Sequence, residues 1–186
     1  IAIKRTFEGL YQYHYLKRPY VLEPLLADSM PAVSSDGLTY TIKIKKGVFF
    51  QEDPAAFGAN KTRELEAQDF IYSWKRLANT QNASDGWWIF DGKIEGLNDW
   101  RQKMQQNPTA QIEDEKISGL YAKDKYTLVV KLKHKNPLFL HYLAMPYASV
   151  VAWEAMKHYQ KDTATHPIGT GPYVLESMRS NQLVWK

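Results

Sequence analysis

Apolar and polar residues alternate strictly through Leu38-Thr-Tyr-Thr-Ile-Lys-Ile-Lys45, which places Leu38, Tyr40, Ile42 and Ile44 on one face and Thr39, Thr41, Lys43 and Lys45 on the other. A period of two is that of a strand buried on one side. Asp36-Gly37 before it and Lys46-Gly47 after it are turn signals that bound the strand. Upstream, residues 25–30 are its expected antiparallel partner, kept short by Pro24 and Pro31, because proline has no N–H to give a ladder.

From Ala67 the period becomes helical: Phe70, Ile71, Trp74, Leu77 and Ala78 form one stripe, and Gln68, Asp69, Lys75 and Arg76 fall outside it. Asp69 in the first turn suits the positive end of the helix dipole. The pattern predicts further helices over 97–104, ending before Asn107-Pro108, over 138–144, opened by Asn136-Pro137 and stopped by Pro146, and over about 150–159. Residues 117–121 and 126–132 flank Lys123-Asp124-Lys125 and read as a hairpin with Leu128, Val130 and Leu132 on one face. Residues 173–177 and 183–185 read as another. Residues 51–65 are polar and read as a loop. Strands and helices are interspersed without regular alternation, which predicts an α+β fold, a mixed and largely antiparallel sheet with packed helices.

Composition narrows this further. A length of 186 residues with 44% hydrophobic content holds one full domain with part of a second. The formal charge of +4 is dispersed, and lysines gather only at Lys43, Lys45 and Lys46 and at Lys131, Lys133 and Lys135, where alternation puts them on the solvent face of strands. Nucleic-acid binding needs denser charge, so no nucleic-acid partner is expected. The chain has no cysteine, which excludes disulfides, thiolate metal sites and cysteine nucleophiles. No apolar run approaches the ~20 residues of a membrane-spanning helix. The chain opens on Ile1 without a leader pattern, and its first residues read as the interior of a structured region, as expected of a piece of a longer protein.

Candidate chemistry is sparse. His14, His134, His141, His158 and His166 stand outside metal-binding spacings, and His166 before Pro167 reads as a turn residue. Glu64 and Glu66, and Glu113, Asp114 and Glu115, lie in polar connections that give no apolar setting to raise a carboxyl pKa. No catalytic residue, metal ligand or cofactor is therefore expected. Gly169-Thr170-Gly171 lacks both the third glycine and the strand-to-helix unit of a dinucleotide loop, so these glycines serve a tight backbone path. Trp87-Trp88 and Met145-Pro146-Tyr147 are bulky apolar groups in breaks between elements. Such groups line pockets or plug cores, and both readings stand.

Several runs together carry a family resemblance: Phe7-Glu8-Gly9-Leu10-Tyr11, Leu26-Ala27-Asp28-Ser29, Ser35-Asp36-Gly37-Leu38-Thr39-Tyr40-Thr41, Lys45-Lys46-Gly47-Val48-Phe49-Phe50, Ala67-Gln68-Asp69-Phe70-Ile71-Tyr72-Ser73-Trp74-Lys75-Arg76 and His166-Pro167-Ile168-Gly169-Thr170-Gly171-Pro172-Tyr173-Val174-Leu175. In this order and spacing they resemble the amino-terminal part of the family 5 solute-binding proteins of ABC importers, which include oligopeptide, dipeptide and nickel binders. The sequence departs from the family pattern at Glu66, in a longer connection over 51–65, at Tyr159-Gln160 and at Met178.

The resemblance implies a partial type II periplasmic-binding-protein-like architecture. Residues 1–10 would belong to the main lobe, 11–150 to an accessory α+β domain, and 151–186 to a segment returning to the main lobe. It implies a monomeric bacterial carrier at the periplasm or cell surface, without enzymatic activity, that captures an oligopeptide or other small solute between two lobes and delivers it to a membrane permease. Trp87, Trp88, Met145 and Tyr147 become candidates for the ligand cleft, and Gly169, Thr170, Gly171, Pro172 and Tyr173 for a hinge-side structural motif. A sensing or interaction module on the same fold, marked by an exposed aromatic patch, is an alternative. So is a hydrolase, which needs a perturbed carboxylate pair in a cleft.

Overall fold

The computed structural model describes residues 6–107, 115–179 and 182–186. Its strands are β1 (Tyr11–Tyr13), β2 (Leu22–Pro24), β3 (Ala32–Val33), β4 (Thr39–Lys43), β5 (Leu120–Asp124), β6 (Thr127–Lys131), β7 (Leu175–Arg179) and β8 (Gln182–Trp185). The largest sheet has the order β3-β4-β6-β5, while β1–β2 and β7–β8 form separate ribbons. Every pairing among the described residues is antiparallel. The alternating segment is thus a central strand, with Tyr40 opposite Val130 and Ile42 opposite Leu128.

The partner of β4 differs from the expected one. Residues 25–30 contribute only a single bridge, Ala27 to Ile44, and the ladder is taken up beyond Pro31 by β3, where Ala32 faces Thr41 and Val33 faces Tyr40. The N–H groups of residues 25–27 are committed elsewhere: Leu25 and Ala27 donate to the Leu10 carbonyl at 2.9 and 3.1 Å, and Leu26 to the Gly9 carbonyl at 3.2 Å. A backbone donor spent on one neighbour cannot build a ladder with another.

The helices are α1 (Pro54–Phe57), α2 (Ala67–Ala78), α3 (Leu97–Gln106), α4 (Phe139–Leu143) and α5 (Trp153–Tyr159). α1 lies inside the stretch expected to be loop. Asp53 caps it by accepting from the Ala56 N–H at 2.8 Å, and Pro54 occupies the start of the helix, where its missing N–H costs nothing. α5 begins later than the periodicity predicts. The Val150 N–H donates to the Glu8 carbonyl and the Val151 N–H to the Ser73 hydroxyl, each at 2.9 Å, so this stretch stays extended. α2 packs against β5 and β6, whose Leu128, Val129 and Val130 are all buried because both faces are covered. Trp74 on α2 anchors the core: it is fully buried, its ring lies 4.7 Å from Phe90, and its indole N–H donates to the Ala148 carbonyl at 3.1 Å.

Asp69 does more than complement a dipole. It is 1% exposed, accepts from the Glu66 N–H at 2.8 Å, and takes two hydrogen bonds from Arg63, at 2.6 and 2.9 Å. The same guanidinium reaches both carboxylate oxygens of Glu154, so one cation ties the 58–66 connection, α2 and α5 together. Arg63→Ala is expected to lower stability by about 3 kcal/mol, because it strands two carboxylates in a largely buried setting. Urea unfolding of the variant checks this.

Candidate functional site

The residues that shape the site come from opposite ends of the chain. Residues 6–9 lie between the glycine-rich run 169–173 on one side and residues 25–27 and 150 on the other. The Gly171 N–H donates to the Thr6 carbonyl at 2.8 Å, and the Thr170 hydroxyl donates to Glu8 Oε2 at 2.9 Å. Gln51 adds a third stitch: its N–H donates to the Gly169 carbonyl at 2.8 Å, and its side-chain Nε2 donates to the carbonyls of Gly171 and Tyr173 at 2.8 and 2.7 Å.

Gly169 is required by contact and not by backbone angle. It does not adopt a positive φ, but a Cβ there would collide with the Thr6 carbonyl oxygen and lie 2.8 Å from its carbonyl carbon. Gly9 is similarly close-packed, since a Cβ would sit 3.1 Å from the Leu143 carbonyl oxygen.

Two adjoining hollows open along this seam. One, of about 330 Å³, is lined by Glu8, Gly9, Tyr11, Tyr13, Met145 and Pro172 among others. The second, of about 250 Å³, is lined by Arg76, Leu77, Asn82, Ser84, Tyr147 and Val151. Phe7, Pro146 and Ser149 border both. The walls of the larger hollow are mostly aromatic and aliphatic with few polar groups, as binding clefts require, whereas Ser73, Arg76, Asn82, Ser84 and Ser149 make the second more polar. In the larger hollow Glu8 is the one carboxylate among the lining residues. Burial pushes its pKa up, opposed by the Thr170 hydrogen bond and the positive charge of Lys45.

Of the four aromatic and thioether candidates, Met145 and Tyr147 line these hollows. Tyr147 is 46% exposed and its ring lies directly on Gly86, where a Cβ would come within 2.9 Å of Tyr147 Cβ and collide with the ring itself. Trp87 and Trp88 line neither hollow. They sit in a single 3-10 turn, Trp87–Ile89, with Trp87 packed against the core under the Arg101 guanidinium (4.8 Å) and Trp88 at the surface, edge-on to Tyr142 (5.9 Å). Pro172 reaches the larger hollow, while Gly169, Thr170, Gly171 and Tyr173 carry the stitching bonds. Phe7, Glu8 and Tyr11 are site residues that periodicity does not single out. The available signal was an acid next to a glycine within an otherwise apolar run.

The remaining polar candidates have structural work. Glu64 accepts from the Gly47 N–H at 2.6 Å and from the Tyr126 hydroxyl at 2.7 Å, and Glu66 pairs with Lys125 at 3.3 Å. His166 stacks on Tyr159 at 4.2 Å and its Nδ1 lies 3.0 Å from the Thr165 hydroxyl, consistent with a turn role. Glu115 pairs with Lys103 at 3.0 Å, and Glu113 and Asp114 lie outside the described residues. The arrangement along the seam can hold a molecule; among its lining residues there is no acid paired with a base to transform one.

Comparison with known proteins bears on this site. The family model described as "Bacterial extracellular solute-binding proteins, family 5 Middle" matches residues 21–185. The glutathione-binding protein GsiB of Salmonella choleraesuis (strain SC-B67) is 29% identical over 181 residues, covering 97% of this chain and 28% of that protein. Among solved structures, the substrate-binding domain of an oligopeptide ABC transporter from Bacillus anthracis str. Ames aligns with a TM-score of 0.77 at 24% identity, covering 97% of this chain and 31% of that one. The murein tripeptide binding protein MppA of Escherichia coli aligns at 0.75 and 24% identity, covering 99% and 32%. These structures share the fold, so the chain is a partial type II periplasmic-binding-protein-like architecture. It spans about a third or less of the length of the relatives it matches.

Two outcomes follow from the seam. Gly169→Ala is expected to cost about 2 kcal/mol in urea unfolding, because the added methyl meets backbone that cannot swing aside. Glu8→Gln is expected to raise the thermal midpoint at neutral pH. A carboxyl whose folded-state pKa is raised costs stability only while ionised, so the gain should shrink as pH falls from the raised folded-state value to the ordinary carboxyl range and be gone below it.

Proposed function

The chain belongs to the bacterial extracellular solute-binding proteins of family 5, and on that premise we propose that it forms one side of a two-lobed carrier. The carrier captures an extracytoplasmic solute, a peptide or peptide-like molecule, and hands it to an ABC permease without chemical change. The family relationship and the open seam support this reading. The observation that carries it is the cleft between Glu8–Tyr11 and Met145–Tyr147: a half-open trough whose walls are ready-made and whose other side is solvent.

The chemistry suits a peptide. A carboxylate among apolar walls offers one charge-assisted contact for an ammonium or amide N–H, and the tyrosine and methionine surfaces accept varied side chains. The ligands after which the relatives are named, glutathione, oligopeptide and murein tripeptide, share a mixture of amide, charge and apolar surface. Capture works by population shift: a ligand that touches both lobes only in the closed form lends closure its binding free energy.

Calorimetric titration with tripeptides and glutathione tests the reading. The gene product at its natural length should bind at least one of them, and the 186-residue chain alone should bind it about 100-fold more weakly, because half the contacts are missing. Equal affinity for the two proteins, or no binding of any such ligand by the natural-length protein, would contradict the proposal.

A further inference from the structure

β1 and β2 pair over three residues each, and the connection between them, residues 14–21, has the sequence His-Tyr-Leu-Lys-Arg-Pro-Tyr-Val. Loops that face water are ordinarily polar. Here Tyr15 is 88% exposed, Leu16 77%, Tyr20 67% and Val21 42%. The charges in the same tip are of one sign: Lys17 and Arg18 are present, and no acidic residue occurs from Gly9 to Leu22. Among the described residues neither Lys17 nor Arg18 forms an ion pair.

The tip holds its own shape. His14 Nδ1 accepts from the Leu16 and Lys17 N–H groups at 3.2 Å each, and the His14 N–H donates to the Val21 carbonyl at 2.8 Å. Arg18 donates to the Lys17 carbonyl at 2.8 Å while its guanidinium lies 4.4 Å over the Tyr20 ring, and that ring meets Tyr13 edge-on at 5.8 Å. The exposed apolar side chains are therefore displayed on a preformed projection.

We propose that this tip docks on an anionic lipid surface. Tyrosine rings settle at headgroup depth, a leucine between them reaches the acyl boundary, and unpaired Lys and Arg find phosphates as counter-charge while their stems stay against apolar surface. Burial against another part of the protein would strip both cations of water and need acids from that part, since the tip supplies none. The proposal is separate from the ligand cleft, since Tyr15, Leu16, Lys17, Arg18 and Tyr20 line neither hollow.

Co-sedimentation of the natural-length protein with vesicles of phosphatidylcholine alone and of phosphatidylcholine with phosphatidylglycerol tests it. Any anchor contributes equally to both, so the readout is the difference. Binding to the anionic vesicles should be about tenfold stronger at low salt and converge on the neutral value at high salt. The double variant Lys17→Glu/Arg18→Glu should abolish the difference and Leu16→Ser reduce it, with peptide titration unchanged in both. Equal binding to the two vesicle types overturns the proposal. So does protection of Tyr15 and Tyr20 from hydroxyl-radical labelling in the lipid-free natural-length protein, which would show that the rest of the chain covers the tip.

Discussion

Gly169 and Thr6 approach so closely that no side chain fits between them, and this contact joins segments that lie 163 positions apart in the sequence. With the two backbones in register, Gly171 bonds to Thr6, Thr170 reaches Glu8, and Gln51 bonds the returning segment at Gly169 and Gly171. The Glu8 backbone carbonyl then accepts from the Val150 N–H, which keeps residue 150 extended ahead of α5. The cleft is a consequence of this one approach. A methyl group at position 169 disturbs not a single contact but the whole order of segments around the hollow.

The carboxylates divide by how they are satisfied. Asp69 and Glu154 share Arg63, a cation with donors enough for both, and serve the joining of elements. Glu64 is bound by a tyrosine hydroxyl and a backbone N–H at the edge of the sheet. Glu8 has a hydroxyl and a distant lysine, and it faces the larger hollow of the seam, whose walls are mostly apolar. An acid held with one hydrogen bond in a half-buried trough keeps capacity for a guest. An acid already enclosed by a bidentate arginine does not.

Much of the fold is legible in the chain because its signals are local. The period of β4 and the stripe of α2 need only a window of about ten residues. What escaped was decided at a distance. Residues 25–27 have the composition of a strand next to β4, yet their N–H groups go to Gly9 and Leu10. α1 carried its own Asp53-Pro54 signal within a stretch whose polarity suggested loop. In the site, Trp88 and Tyr147 share one sequence signature, bulky aromatics in a break. What separates them is Gly86, whose bare backbone seats the Tyr147 ring beside the hollow while Trp88 turns to Tyr142. The glycines of 169–171 read as a tight path. The identity of the segment they press against, residues 6–8, could not be read from any window that contains them.

On the reading proposed above, the seam would be one wall of a two-lobed clamp, shaped by contacts within this chain. A crystal structure of the natural-length protein with a bound peptide tests this most directly. The account predicts the peptide against Glu8–Tyr11 and Met145–Tyr147, with the second lobe closing over its far side and the Gly169–Thr6 contact unchanged. A peptide bound elsewhere, or a seam rearranged on binding, would contradict it.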